Sequence, residues 1–157
     1  MSKKRVLFLC TGNSARSQMA EGLVNHFLGD RWEARSAGTK PAAVVHPLAV
    51  QAMAELGIDI SAQRPKLVGE FDQVAFDLVV TLCDSAAQSC PLCLGWKQAR
   101  TESPAHISFP DPAAVTGSEE EKLEAFRQTR DDLKREVFAY LERLENAEPE
   151  EVKFHAP

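Results

Sequence analysis

A cysteine and an arginine near the start of the chain are spaced in a way that suits the binding and attack of an anion. Cys10 and Arg16 enclose five residues, which gives the pattern C-x5-R. The apolar run before Cys10 and the helical periodicity after Arg16 place the pattern on a strand-to-helix turn. Backbone N–H groups at such a turn can converge on one anion, and an arginine adds a planar fork of donors. The pattern therefore predicts a cysteine nucleophile aimed at a tetrahedral oxyanion.

The residues around this pattern fit an anion-binding loop. The predicted oxyanion site is the continuous segment Cys10, Thr11, Gly12, Asn13, Ser14, Ala15, Arg16 and Ser17. Asn13 tolerates left-handed backbone angles, so we expect it to shape the loop rather than to react. The Ser17 hydroxyl can hydrogen-bond the Cys10 sulfur and favour the thiolate. The alternative is a buried structural cysteine beside a surface arginine, but a chance C-x5-R seldom falls on such a turn.

Hydrophobic periodicity predicts the elements that position this loop. Strands are predicted at residues 6–9, 32–36, 77–82 and 106–109. Apolar residues at helical spacing predict one helix after Arg16, which stops at Gly29, and a second from His46 to Gly57. This alternation of strands and helices is typical of an α/β protein with a parallel sheet.

The last helix has the clearest signal. Ser118 and Glu121 form a capping-box pattern at its start, and an apolar stripe at helical spacing continues to Leu144. The final residues are acidic, contain proline and lack periodicity, which predicts a flexible tail at 146–157. The chain is therefore divided into one domain, residues 1–145, and this tail.

Three further cysteines, Cys83, Cys90 and Cys93, follow the strand predicted at 77–82. The working crevice of an open α/β sheet lies beyond the carboxyl ends of its strands, so we expect Cys10 and Cys83 to share one mouth. Cys90 and Cys93 have C-x-x-C spacing, which also occurs in half of a zinc site. The sequence has no second such pair and no nearby histidine pair, so no metal is predicted.

Composition indicates a small globular protein. The chain has 157 residues, of which 44% are hydrophobic and 26% charged, and this suits one domain with a sizeable core. The net charge of −5 argues against nucleic acid as a partner. Neither a signal peptide nor a run of transmembrane length is predicted. We expect a cytoplasmic monomer with reduced thiols, no membrane contact and no cofactor.

The segment CTGNSARSQMAEG, with the aspartate of a DP pair far downstream at Asp111, resembles the low-molecular-weight protein tyrosine phosphatase superfamily. Within it, the chain is similar to the thioredoxin-coupled arsenate reductases, from about residue 4 to about residue 145. The resemblance implies a flavodoxin-like, three-layer α/β fold. Its parallel sheet has four strands in the order 2-1-3-4, with helices on both faces. The loop motif does not distinguish a phosphatase from a reductase, so the distinction depends on the other cysteines.

The resemblance also implies that Asp111 is the general acid. A carboxylic acid that overhangs the anion site can protonate the oxygen that leaves arsenate or a phosphate ester. An Asp-Pro pair alone is an ordinary turn, but the strand-like residues 106–109 before it and the family pattern favour the catalytic role. Tyrosine phosphatases of this fold usually have aromatic residues after the acid, where this chain has Pro112, Ala113 and Ala114.

Within this family the cysteines imply a relay that reduces arsenate to arsenite. Cys10 attacks arsenic, Cys83 attacks the Cys10 sulfur and releases arsenite, and Cys90 then attacks Cys83, which leaves a Cys83–Cys90 disulfide. Thioredoxin is the implied partner, phosphate and sulfate are competing anions, and residual phosphatase activity and a link to arsenic resistance are expected. The family spacing selects Cys90 as the resolving thiol. Cys93 is a substitute for it, an off-path partner of it or a bystander.

Two other functions stay open. One is a low-molecular-weight phosphatase in which Cys83 and Cys90 take no part. The other is a non-catalytic redox or oxyanion-sensing module that binds a regulatory partner.

Asn13, Glu21 and Ser36 match positions that hold a potassium ion in some members of the family. The remaining ligand in those members is a carboxylate. This chain has no acid in the aligned region, where Arg64, Pro65 and Lys66 stand. Arg64 and Lys66 are candidates to supply the positive charge instead.

Overall fold

Four parallel strands form the sheet that carries the anion loop. The computed structural model describes residues 3–71, 73–83 and 105–155. Its strands are β1 (Lys4–Cys10), β2 (Trp32–Gly38), β3 (Leu78–Thr81) and β4 (Ala105–His106). Their order across the sheet is β2-β1-β3-β4, and each neighbouring pair is parallel. The predicted fold class and strand order are confirmed.

The two faces of the sheet carry apolar clusters of different size. Val6 and Phe8 of β1 belong to the larger cluster. They share it with the three α-helices of the described residues, α1 (Arg16–Phe27), α2 (Pro47–Ala54) and α3 (Glu119–His155). Leu7 and Leu9 face the other way, because side chains alternate along a strand, and they pack with the 3-10 helix η1 (Val68–Phe71). Burial on both faces explains why β1 is continuously apolar.

Each of the four strands differs from the prediction at one end or both. β2 continues two residues beyond the predicted end at Ser36, because it stays paired with β1 until Gly38 lies opposite Cys10. β4 ends at His106, three residues before the predicted end at Phe109. The Phe109 N–H still donates to the carbonyl of Leu82 at 3.0 Å, but Pro110 follows and has no N–H to extend the pairing.

The helix α3 begins as the sequence predicts. Ser118 Oγ accepts a hydrogen bond from the Glu121 N–H at 3.1 Å, and Glu121 Oε1 accepts from the Ser118 N–H at 3.2 Å. The helix continues to His155, beyond the end predicted near residue 145. Glutamate and alanine are common there and are good helix formers, which explains the longer helix. That the end of the chain is mobile stays a prediction.

The helix α2 begins at the predicted position. His46 Nδ1 accepts a hydrogen bond from the Leu48 N–H at 3.1 Å, and Pro47 takes the first helical position. The helix ends at Ala54, and Gly57 closes the turn after it with a φ of +78°, in the left-handed region. None of the helices in the described residues is both long enough and apolar enough to cross a membrane.

Candidate active site

The loop between β1 and α1 starts at Cys10, the last residue of β1, and ends at Arg16, the first residue of α1. Cys10 is 2% exposed. Asn13 has a φ of +50°, which is the left-handed conformation that its predicted role in the loop requires. Gly38 lies so close that a Cβ atom there would come within 2.5 Å of the Thr11 carbonyl oxygen. The loop can therefore keep this shape only because β2 ends in glycine.

The carbonyl groups of the loop are held by partners outside it. The five consecutive carbonyls from Cys10 to Ser14 accept hydrogen bonds of 2.8–3.4 Å. The donors are the backbone N–H groups of Thr39, Lys40, Ala42 and His46 and the side chain of Gln18. The C=O and N–H of a trans peptide group point in opposite directions. Outward carbonyls therefore turn the N–H groups that follow them toward the centre of the loop, as anion binding needs.

Two short contacts lead from Asn13 to the Cys10 sulfur. Asn13 Nδ2 donates to Ser17 Oγ at 2.7 Å, and Ser17 Oγ lies 2.8 Å from Cys10 Sγ. Since Ser17 Oγ already accepts a hydrogen bond from the Asn13 amide, its own hydroxyl proton is available for a hydrogen bond to the sulfur. A donor in this position stabilises a thiolate. The contact predicted between Ser17 and Cys10 is present.

Gln18 holds Asn13 in place and is itself held by Gln63, and neither role was predicted from the sequence. Gln18 is fully buried, and its Nε2 donates to Asn13 Oδ1 at 3.0 Å and to the Arg64 carbonyl at 2.9 Å. Gln63 Nε2 donates to Gln18 Oε1 at 2.6 Å. A buried amide needs partners for its polar atoms. The sequence signal that could have indicated Gln18 is its polar side chain directly after Ser17, on the first turn of α1.

Arg16 is held in place by the segment that follows β4. Its Nη1 donates to the Phe109 carbonyl oxygen at 3.0 Å, and its Nη2 lies 3.9 Å from Asp111 Oδ2. The Arg16 side chain is 12% exposed and that of Asp111 is 46% exposed. Asp111 Oδ1 accepts a hydrogen bond from the Ala113 N–H at 3.0 Å and so caps the 3-10 helix η2 (Pro112–Ala114). Asp111 thus has one oxygen in a turn and the other beside the arginine.

Cys83 lies next to the anion loop. Its Sγ is 3.4 Å from Thr11 Oγ1, and the residue is 6% exposed. Neither Cys10 nor Cys83 is in a disulfide, and both belong to the same small apolar cluster. β1 and β3 are adjacent parallel strands, so both cysteines leave the sheet at the same edge. The contact between Thr11 and Cys83 was not predicted, because nothing in the local sequence indicates it.

One cavity of about 570 Å³ joins these groups. Thr11, Arg16, Cys83 and Asp111 line it, together with Ser108, Phe109 and Pro110. The arrangement can hold an anion, supply a proton from a carboxylic acid and offer a second thiol beside the first. Cys90 and Cys93 lie outside the described residues, so their predicted roles stay predictions.

Comparison with known proteins agrees with this class of fold and loop. The family model described as Low molecular weight phosphotyrosine protein phosphatase matches residues 5–150, and the chain belongs to this family. An arsenate reductase of Halalkalibacterium halodurans is 45% identical over 142 residues, which cover 90% of this chain and 98% of that protein.

Two solved structures are also similar. An arsenate reductase in the phosphate-binding state has a TM-score of 0.69 at 29% identity, and the match covers 89% of this chain and 98% of that chain. A thioredoxin-dependent arsenate reductase of Corynebacterium glutamicum has a TM-score of 0.62 at 27% identity. That match covers 89% of this chain and 62% of that chain.

Proposed function

We propose that this protein reduces arsenate to arsenite through a thiol–disulfide relay of Cys10, Cys83 and Cys90, and that thioredoxin reduces the final disulfide. The observation that carries the proposal is the 3.4 Å contact between Thr11 Oγ1 and Cys83 Sγ. Through this contact a second buried thiol, that of Cys83, lies against the loop that begins with Cys10. Hydrolysis of a phosphate ester needs only one nucleophile, whereas reduction of an oxyanion needs a second thiol.

The first step is the capture of arsenate by the loop. Arsenate has the charge and tetrahedral shape of phosphate, so the inward N–H groups and Arg16 can bind either anion. The Cys10 thiolate then forms a bond to arsenic(V), and an arsenate oxygen leaves as water with a proton from Asp111. The similarity to an arsenate reductase in a phosphate-binding state supports an anion at this position.

The second step moves two electrons. The Cys83 thiolate attacks the Cys10 sulfur, the sulfur–arsenic bond breaks, and its electron pair stays on arsenic, which leaves as arsenite. A Cys10–Cys83 disulfide results. The Cys90 thiolate then attacks the Cys83 sulfur, which frees Cys10 and leaves a Cys83–Cys90 disulfide. A dithiol such as thioredoxin supplies the two electrons that restore both thiols, and the similarity to a thioredoxin-dependent reductase supports this partner.

A phosphatase activity is the second candidate, because Cys10, Arg16 and Asp111 are the groups it requires. The residues after the acid are Pro112, Ala113 and Ala114. They offer no aromatic surface for a tyrosine ring, so we assign hydrolysis of small phosphate esters as a residual activity. A cytoplasmic location and a monomeric state stay predictions.

Turnover of arsenate with thioredoxin, thioredoxin reductase and NADPH tests the proposal. Cys10→Ser should abolish both arsenate reduction and hydrolysis of a small aryl phosphate. Cys83→Ser should abolish steady-state reduction and leave the hydrolysis, since only reduction needs the second thiol. If Cys83→Ser still turns over arsenate, the relay is wrong, and if the wild type hydrolyses the ester but never oxidises NADPH, the protein is a phosphatase.

A further inference from the structure

A carboxylate and an ammonium group, both largely shielded from solvent, lie close together behind the anion loop. Lys66 Nζ lies 3.8 Å from Glu21 Oε1, and the two side chains are 13% and 10% exposed. The same glutamate oxygen accepts a hydrogen bond from Ser36 Oγ at 2.6 Å. Lys66 Nζ donates to the Arg64 carbonyl at 3.0 Å. Removing one partner of a buried ion pair leaves an uncompensated charge, so each group depends on the other.

The residues of this cluster do not fit a potassium ion. Glu21 and Ser36 offer oxygen atoms, but Lys66 stands in the region where the resemblance places another carboxylate. Its ammonium lies 3.8 Å from the glutamate oxygen that a potassium ion would need. A potassium ion bound to that oxygen would lie near the Lys66 ammonium group. Two positive charges close together repel each other strongly in a partly buried site. The charge that potassium would bring is already present in the chain.

Lys66 is also linked to the nucleophile through its backbone. The Lys66 N–H donates to Asn13 Oδ1 at 2.8 Å, Asn13 donates to Ser17, and Ser17 contacts the Cys10 sulfur. The Lys66 carbonyl accepts from the Gly38 N–H at 2.8 Å. Gly38 is the glycine that lies against the loop. A shift of Lys66 would therefore move Asn13, whose left-handed backbone shapes the loop.

We propose that Lys66 is a positioning residue whose ammonium group neutralises Glu21 in place of a bound monovalent cation and so keeps the anion loop in its binding shape. The inference rests on the anion site of the proposed function, but not on the reduction of arsenate. Burial lowers the pKa of Lys66, while the Glu21 carboxylate acts in the opposite direction. The partner thus offsets part of the unfavourable effect of burying a lysine.

Phosphate binding in two salts tests the proposal. Phosphate affinity is measured as protection of Cys10 from alkylation by iodoacetamide, in potassium chloride and in choline chloride of equal ionic strength, with the alkylated cysteine identified by peptide mapping. Lys66→Met removes the charge and keeps the aliphatic chain. Lys134→Met is the matched control, because it removes the same charge from α3.

The wild type and Lys134→Met should bind phosphate equally in both salts. Lys66→Met should bind about fivefold more weakly, or worse, in choline chloride and recover in potassium chloride, because a free cation can then reach Glu21. The double variant Glu21→Gln/Lys66→Met should not respond to potassium. A potassium response in the wild type, or affinity in Lys66→Met equal to that of Lys134→Met, overturns the proposal. A deficit in Lys66→Met that potassium does not reduce overturns it as well.

Unfolding by urea tests the pairing of Lys66 with Glu21 without any bound anion. We expect the double variant to be more stable in choline chloride than either Lys66→Met or Glu21→Gln, since each single variant leaves one buried charge unpaired. Stability changes that simply add would overturn the proposal. If the wild type failed to bind phosphate, the proposed function would fall, but this comparison of unfolding would still test the pairing of Lys66 with Glu21.

Discussion

Two contacts within the protein orient Arg16. Its guanidinium donates to the Phe109 carbonyl oxygen and lies beside Asp111. Other N–H groups of its planar fork can bind two oxygens of one anion. Arg16→Lys keeps the charge and loses the fork. We expect the KM for arsenate and the inhibition constant of phosphate to rise about tenfold or more, which corresponds to the loss of one charge-assisted hydrogen bond.

The matched control for Arg16 is Arg35→Lys on β2. Arg35 is an exposed arginine that pairs with Glu33 at 3.2 Å. Its replacement by lysine should leave both constants at their wild-type values. Equal constants in the two variants would contradict the anion-binding role of Arg16.

Asp111 caps η2, and we propose that it is also the general acid; one substitution can separate these two roles. Asp111→Asn keeps a side-chain oxygen that can accept from the Ala113 N–H and cap η2, but it cannot donate an acidic proton. We expect kcat to fall about 10²- to 10⁴-fold, the usual size of a general-acid contribution, with no change in thermal stability. Steady-state kinetics and thermal unfolding measure the two effects separately.

Asp59→Asn is the control for this substitution. Asp59 Oδ1 accepts from the Ser61 N–H at 2.8 Å, which is the same local bond that Asp111 makes with Ala113. This control should leave kcat unchanged. If Asp111→Asn also has the kcat of the wild type, Asp111 is only a turn residue.

At the scale of elements, the C-terminal end of α2 is joined to α3 by a cluster of charges. Arg127 Nη2 lies 2.8 Å from Glu55 Oε2, and Arg130 Nη1 lies 2.9 Å from Glu55 Oε1. Arg130 is buried and also donates to the Ala52 carbonyl at 2.8 Å. Cations at this end of α2 are favourable for the helix dipole. The cluster therefore stabilises the contact between α2 and α3 that covers the larger apolar cluster.

Glu55→Gln tests this cluster and gives a dependence on pH. Hydrogen bonds from Arg127 and then Arg130 lower the pKa of Glu55 below its usual value of 4.5. A lowered pKa stabilises the folded state above pH 4.5, and that stabilisation is lost as the pH falls through the lower pKa of the folded state. Glu55→Gln should therefore be less stable than the wild type at pH 7 by about 1 kcal/mol, and the difference should shrink below pH 4.5.

Urea unfolding between pH 3 and pH 7 measures this difference. Glu136→Gln is the control, because Glu136 pairs only with the exposed Arg135 among the contacts described for it. It should change stability by less than about 0.5 kcal/mol at every pH. A constant difference between the wild type and Glu55→Gln down to pH 3 would contradict the effect of the ion pairs on Glu55.

The elements and contacts that were predictable are those with a local signal. The capping box of Ser118 and Glu121 and the left-handed Asn13 depend on neighbouring residues, and both were found from the sequence. The contact of Arg130 with Glu55 joins residues 75 positions apart, and that of Thr11 with Cys83 joins residues 72 apart. Such pairs are set by how elements pack, which periodicity does not encode.

At the scale of the whole molecule, distant segments meet at one edge of the sheet. The loop after β1, the cysteine after β3 and the segment after β4 all follow the carboxyl ends of parallel strands, so they line one cavity. The net charge of −5 opposes the approach of an anion. We therefore expect the affinity for an anion to come from Arg16 and from the N–H groups of the loop. This part of the site was predictable because the strand ends could be located from sequence.

In the last stage of the proposed relay, the disulfide must become accessible to thioredoxin at the protein surface. Cys83 is only 6% exposed, so thioredoxin can reach a disulfide that includes it only after Cys83 moves outward. Cys90 follows seven residues later and Cys93 ten residues later. A disulfide requires Cα atoms within about 7 Å. The cysteine that forms the final disulfide must therefore come within this distance of Cys83.

Single substitutions distinguish the two candidates for the resolving thiol. If Cys90 is the resolving thiol, Cys90→Ser should stop after about one turnover with a Cys10–Cys83 disulfide, because the thiol that attacks Cys83 is then missing. Cys93→Ser, the matched control, should keep most of the steady-state activity. After one arsenate turnover without reductant, peptide mapping of the wild type should find mainly a Cys83–Cys90 disulfide. A predominant Cys83–Cys93 disulfide would transfer the resolving role to Cys93, because the thiol that attacks Cys83 is the one left bonded to it.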